Sequence, residues 1–180
     1  ILEECGIDVA VGGNIGTPVM ALDMPDNDGV FVLEMSSYQL DLCPEFSPDI
    51  AVYLNLTPDH IDHHGSFENY AAAKANIFRG EGIAIRSIDD DLHCDTGMRD
   101  TYGISVKNMT SRGVFVEGGI LYDWIEGYEN AVLNLNGLDR LRGEHNHQNI
   151  ANAYNVARLL GCDSDAVYSA IQSFPGLPHR

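Results

Sequence analysis

The apolar and polar positions alternate in two ways along this chain, and the two periods predict its elements. Short β-rich runs that are apolar nearly throughout occur at IDVAVGG (7–13), GVFVLE (29–34) and IAVYLNL (50–56), the last ended by Thr57 and Pro58. Continuous apolar strands of this kind suit a parallel sheet covered by helices on both faces. Residues 1–5, ILEEC, read as the last turn of a helix stopped by Gly6. From Ser66 to Phe78, SFENYAAAKANIF has a serine cap, helix-forming alanines, and Phe67, Tyr70, Ile77 and Phe78 as packing residues. GIAIRSIDDD then reads as a strand entering a turn. Residues 103–135 break into short β-rich pieces separated by RG and GG turns, which predicts a small antiparallel sheet. HNHQNIANAYNVARLLG is a long helix with Ile150, Ala153, Tyr154 and Ala157 on one buried face, closed by Gly161; DSDAVYSAIQSF is a second helix, and PGLPHR a loop after it. The expected fold is α/β: a mostly parallel central sheet flanked by helices, with a small antiparallel sheet, in one domain over residues 1–180.

Composition narrows the function. The chain has 180 residues, 44% hydrophobic and 21% charged, enough for one substantial core and too apolar for disorder. No apolar run of about 20 residues suggests a membrane span. Ten basic against twenty-seven acidic residues leave a net charge of −17, a field that repels a nucleic-acid backbone. A small phosphorylated ligand stays open, because a lysine, a helix N-terminus or a divalent cation can reverse the potential inside a cleft. Cys5, Cys43, Cys94 and Cys162 form neither a CxxC pair nor a metal cluster and read as small buried hydrophobes of a reducing, cytoplasmic setting. The start at Ile1, without initiator Met or leader pattern, suggests an excised piece.

Six segments could carry chemistry. GGNIGTP (12–18) places Asn14 in a glycine turn after a strand, where backbone donors could approach a ligand; a tight turn is the plain alternative. Glu34 ends an apolar strand, which is where open α/β sheets bind ligands, and such a carboxylate needs a partner: a cation, an arginine or a helix N-terminus. Ser36 and Ser37 follow it; without a G-x-S-x-G elbow, helix capping competes with a nucleophile role. TPDHIDHHG (57–65) offers Asp59, His60, Asp62, His63 and His64, either as solvated turn residues or with one histidine in an open, oxygen-rich metal site; a closed zinc site needs a helical segment. Lys74 sits among alanines, where it is a surface residue, a phosphate contact, or a lysine converted to an anionic ligand. In RGEHNHQN (142–149), Asn146 and Asn149 share a helix face and could read an adenine edge or simply cap and pack. His179 and Arg180 at the chain end could contact phosphate.

In order and spacing, GGNIG, VLEMSSYQL, PDIAVYLNLTPDHIDHHGS, YAAAKANIF, GEHNHQNIANA and FPGLPHR resemble the central domain of the Mur ligases, the ATP-dependent amide-forming enzymes of peptidoglycan assembly. The resemblance covers essentially the whole chain, and SSYQL with GGNIG is most similar to the D-glutamate-adding branch. It implies that Glu34 and His60 bind Mg2+ and that Lys74 carries a carbamate near the reacting phosphate. It also implies that Asn14 and Ser36, with Ser37 as a weaker candidate, contact UDP-N-acetylmuramoyl-L-alanine, while Asn146, Asn149, His179 and Arg180 lie around ATP. In the implied reaction the substrate carboxylate attacks the γ-phosphate of ATP, and the amine of D-glutamate displaces phosphate from the acyl phosphate. A ligase adding another amino acid and a non-catalytic nucleotide-binding scaffold are the alternatives. No Gly-Lys-Ser/Thr phosphate loop occurs in the chain. On this resemblance it lies upstream of Ile1, with the uridine-binding domain; a further domain follows Arg180. A monomer is expected, without ligase activity from these residues alone.

Overall fold

The computed structural model describes residues 1–89, 97, 100–128 and 130–176. Strands β1 (Val9–Gly13) and β2 (Val30–Glu34) form a parallel pair, and β3 (Ile50–Tyr53), β4 (Ile83–Ser87), β5 (Asp100–Ser105), β6 (Gly113–Glu117), β7 (Ile120–Trp124) and β8 (Asn130–Asn134) form a six-stranded sheet in that order. Pairing is parallel from β3 to β6 and antiparallel from β6 to β8. The expected antiparallel part is therefore real, but it continues the parallel strands as one sheet. The hairpin turn at Gly118 and Gly119, with φ of 58° and 78°, lets β6 fold directly back on β7, while β5 joins its parallel neighbours.

The strands bury both faces. Along β3 and β4, Ala51, Tyr53 and Ala84 pack with Phe78, whereas Ile50, Val52, Ile83 and Ile85 face the larger core of Ile104, Val114, Leu121, Leu133, Ile150 and Tyr154. Side chains that alternate across a strand can do this only if each face has its own cover. Helix α3 (Phe67–Ala75), with the 3-10 turn Asn76–Phe78, lies on the first face, and α4 (Glu144–Leu159) with α5 (Ser164–Ser173) on the second. Helices α1 (Ser37–Leu42) and the single turn α2 (Ile61–His64) sit beyond the strand ends.

The helix ends follow the sequence signals. The Ser66 hydroxyl accepts from Asn69 N at 3.1 Å, Asp163 caps α5, and Gly161 after α4 has φ 85°. ILEEC forms a 3-10 turn over Glu3–Cys5, closed by Gly6 at φ 81°. Packing departs from expectation at three positions. Phe67 is 37% exposed, Cys43 is exposed, and Ala153, expected in the core, is exposed on the side of α4 that lines a cleft. Cys94 lies outside the described residues.

That cleft, of about 560 Å³, runs between the two sheets. Val9, Val11 and Val32 line it from the β1–β2 pair, Val52 and Leu54 from β3 and its exit, and Asn149, Ala153 and Val156 from α4. Among the described residues β2 pairs only with β1, and β3 only with β4. Val11 and Val32 are 61% and 41% exposed, an apolar surface unusual for strands in the middle of an α/β fold.

A buried polar network joins the sheet to α4. The Tyr154 hydroxyl donates to Asp123 Oδ2 at 2.8 Å, Arg158 Nε donates to the same oxygen at 3.3 Å, and Ile125 N donates to Oδ1 at 2.8 Å. Burial, reinforced by the Asp123 charge, pushes the Tyr154 hydroxyl well above its ordinary pKa. Tyr154→Phe removes one donor to a buried carboxylate, and urea unfolding is expected to show a loss of about 2 kcal/mol.

Candidate functional site

The polar candidates converge where β2 and β3 end, because parallel strands carried in one direction release their loops at one edge. Strand β1 turns at Gly13, whose φ is 115° and where a Cβ would sit 2.3 Å from the Glu34 carbonyl oxygen. Only glycine permits that approach. It sets Asn14 against Glu34: Asn14 N donates to the Glu34 carbonyl at 2.8 Å and Asn14 Nδ2 to Glu34 Oε1 at 3.0 Å. The partner expected for the Glu34 carboxylate is thus an amide, and the carboxylate stays exposed.

The two serines after Glu34 do different things. Ser36 caps α1 in a reciprocal box: its hydroxyl accepts from Gln39 N at 3.3 Å and Gln39 Oε1 accepts from Ser36 N at 2.9 Å. Ser37 is 4% exposed, and its Oγ lies 3.0 Å from His64 Nε2. At the other end of α1, Arg79 Nη1 donates to the carbonyls of Leu40 and Cys43, both at 3.2 Å.

The histidine turn begins with a backbone exception. His60, at φ 51°, is the one non-glycine residue with positive φ among the described residues, a conformation that costs about 1–2 kcal/mol for a side chain of this kind. The Asp59 carboxylate accepts from His60 N at 2.8 Å and so helps hold it. The His60 ring, about half exposed, stands edge-on to Tyr38 at 5.2 Å and to Tyr70 at 6.3 Å. The His64 side chain is buried, at 4% exposure, against the same Tyr38 and Tyr70 rings, 5.6 Å and 5.5 Å away.

Lys74 is held between two aromatic rings, its Nζ 5.4 Å from the Tyr53 centroid and 5.6 Å from that of Tyr70. Burial pushes its ammonium below the ordinary lysine value, and the charge of Asp59 opposes that shift. Tyr70 lies one helical turn before Lys74, the i, i+4 spacing that stacks side chains on one face; this was the signal for the cage, although Tyr53 comes from β3 and had none. Burial, with Asp59, raises the Tyr70 pKa.

Asn146 and Asn149 both line the cleft, at the start of α4. Asn146 Nδ2 donates to the Arg142 carbonyl at 2.8 Å, while Gln148 Nε2 reaches the Leu54 carbonyl at 3.1 Å and pins α4 to the exit of β3. Sequence reasoning passed over Gln148. His179 and Arg180 lie outside the described residues.

Among the described residues no three His, Cys, Asp or Glu side chains are grouped to hold a metal, so a closed zinc site is not formed there. Glu34 at the end of β2 offers an exposed carboxylate and His60 in the turn after β3 an exposed imidazole.

A parallel sheet covered on both faces, with amide, carboxylate, imidazole and lysine side chains gathered past its strand ends, is the class of α/β domain that holds polar ligands at that edge. Residues 6–157 match the Mur ligase middle domain, and the chain belongs to the Mur ligase family. It is 39% identical over 186 residues to the UDP-N-acetylmuramoylalanine–D-glutamate ligase of Agrobacterium fabrum and 41% identical over 190 residues to the ligase of that name from Rhodospirillum rubrum. Both alignments take in 100% of this chain and 40% of the relative, so the chain spans about two fifths of their length. In structure it is similar to a UDP-N-acetylmuramoyl-L-alanyl-D-glutamate–2,6-diaminopimelate ligase, with TM-score 0.71 and 22% identity over 99% of this chain and 43% of the other. It is also similar to the UDP-N-acetylmuramate:L-alanyl-γ-D-glutamyl-meso-diaminopimelate ligase of Neisseria meningitides, with TM-score 0.69 and 19% identity over 99% and 61% of the two chains. At those identities the two structures support the fold alone. No described helix is long and apolar enough to cross a membrane.

The environment of Lys74 has a consequence for stability. A lysine whose folded pKa is depressed binds fewer protons folded than unfolded across the interval up to its ordinary value. Folding is therefore penalised below the folded pKa and relieved as pH rises through it toward 10.5. In CO2-free buffer, thermal melts of the parent sequence should gain on those of Lys74→Met between pH 7 and the ordinary lysine range; a pH-independent difference contradicts the depressed value.

Proposed function

We propose that residues 1–180 are the ATP-binding middle domain of an ATP-dependent amide ligase that adds D-glutamate to UDP-N-acetylmuramoyl-L-alanine. The observation that carries the reading is Lys74: a desolvated amine between Tyr53 and Tyr70, beside a turn that presents His60, in a chain whose full length aligns with ligases named for that reaction. Desolvation lowers the cost of the neutral amine, the form that carbamylation needs. Its lone pair attacks CO2, an N–H proton leaves to solvent, and a lysine becomes an anionic oxygen ligand.

The residues then divide the work. Glu34, His60 and a carbamate on Lys74 would hold Mg2+, and Asn14 fixes the Glu34 carboxylate through its amide. Asn14 and the Ser36 turn face the muramoyl substrate, with Ser37 behind them. Asn146 and Asn149, in the first turns of α4, face the nucleotide, and His179 and Arg180, outside the described residues, are the remaining candidates for phosphate contacts. Bound Mg2+ would neutralise phosphate charge and bring two anionic reactants together on a protein of net charge −17. The substrate carboxylate attacks the γ-phosphate with ADP leaving, and the D-glutamate amine then expels phosphate to form the amide.

The cleft between the sheets is where the rest of the parent protein completes this domain. Its walls are two unpaired parallel strand edges and the exposed side of α4, and Asn152, which also lines it, has a buried Oδ1 without a partner among the described residues. An apolar strand of the parent, parallel to β2 and β3 and ending in the phosphate loop, satisfies all three. A scaffold without catalysis leaves the Lys74 cage without a role.

Two measurements test the reading. Phosphate release and product mass with the full parent should show D-glutamate consumed in preference to meso-diaminopimelate or L-lysine, and Lys74→Ala should lower kcat by at least about a hundredfold; ligation of only a competitor overturns the D-glutamate assignment. Hydrogen exchange should find the amides of Leu33 and Val52, which face the open edges of β2 and β3, strongly protected in the parent and weakly so in residues 1–180, and equal protection would show that nothing fills the cleft.

A further inference from the structure

We propose that His64 is a positioning residue that ties the turn after Glu34 to the turn that carries His60, and so sets the distance between those two side chains. The inference rests on the assignment of Glu34 and His60 to the metal site.

His64 is the inward-facing member of its turn: its side chain is 4% exposed, against 48% for His60. A buried imidazole needs partners for its ring nitrogens. Nε2 lies 3.0 Å from Ser37 Oγ, and Nδ1 lies 3.7 Å from the Asp41 carboxylate. The second distance is too long for a hydrogen bond, yet the carboxylate favours the proton on Nδ1, which leaves Nε2 to accept from the Ser37 hydroxyl. The His64 carbonyl in turn accepts from Asn69 Nδ2 at 2.9 Å, which anchors the residue to α3.

The link has a short route to each half of the site. Ser37 is the first residue of α1 and stands three positions after Glu34. On the other side, His63 N and His64 N both donate to the His60 carbonyl at 3.1 Å, so a single helical turn transmits the position of His64 to His60. The Tyr38 ring fills the space between, 4.1 Å from the His63 ring and 5.6 Å from that of His64. The Ser–His–Asp order does not make a hydrolase here, because Ser37 and His64 are each 4% exposed and no substrate carbonyl can reach the hydroxyl. It is a brace between segments 27 residues apart.

The test uses the full parent ligase with Mn2+ as the probe ion. Its affinity is read by electron paramagnetic resonance without turnover, beside kcat and KM for D-glutamate. Ser37→Ala and His64→Leu should each weaken Mn2+ binding about tenfold, the worth of one buried hydrogen bond. The double variant should be no weaker than either, since both remove one link. His64→Gln, whose amide reaches Ser37, should restore affinity to within about twofold of the parent, and KM for D-glutamate should hold. Parent-like Mn2+ affinity in Ser37→Ala, additive losses in the double variant, or no rescue by His64→Gln overturns the brace. Glu34→Gln separates the two levels: if it weakens Mn2+ binding and the His64 variants do not, the brace alone is wrong. If Glu34→Gln changes nothing, the metal assignment falls and the brace falls with it.

Discussion

Two-sided burial of β3 and β4 is the constraint from which the other features follow. Ala51, Tyr53 and Ala84 face one core while Val52, Ile83 and Ile85 face the other, so helices must cover both faces and the chain must cross over between parallel strands. Crossovers bring the exits of the parallel strands β3 to β6 to one edge. Polar side chains of the site follow β3 at that edge, and Tyr53, stacked on Phe78 in the core beneath, also faces Lys74.

The same burial explains why the site combines exposed and desolvated groups. Glu34 ends β2 and His60 follows β3, and both stay open to solvent, as the proposed cation ligands would have to. Lys74 lies one layer deeper, where loss of water disfavours its charge. A carboxylate and an imidazole ready to bind, beside an amine kept reactive, are the separate environments that one strand edge and one helix face can supply together. The proposed action on anionic metabolites is compatible with an acidic chain, because local geometry rather than net charge governs the potential at the rim.

Most of the layout was legible in the chain. The strands at 7–13, 29–34 and 50–56, the serine-capped helix at 66, the long helix closed by Gly161 and the rim position of Glu34 follow from periodicity and end signals. What could not be read depended on contacts distant in sequence. The hydrogen bond from Asn14 to Glu34, the turning of Ser37 and His64 toward each other, and Tyr53 over Lys74 each join segments that no local pattern relates. His60 in a left-handed conformation carried no glycine or asparagine to announce it. Ala153 read as core because helical spacing reports which side of α4 is apolar, not whether anything lies against it.

The division of strands into a pair and a sheet of six also divides the site by stability. A lone two-stranded ribbon is marginal in water, whereas a six-stranded sheet sealed by two helical layers opens only near global unfolding. Asn14 and Glu34 ride on the ribbon; His60 and Lys74 are fastened to the sheet. Within residues 1–180 the two halves of the proposed site thus belong to cooperative units of unequal strength, and the ribbon half is the one that thermal fluctuation releases first.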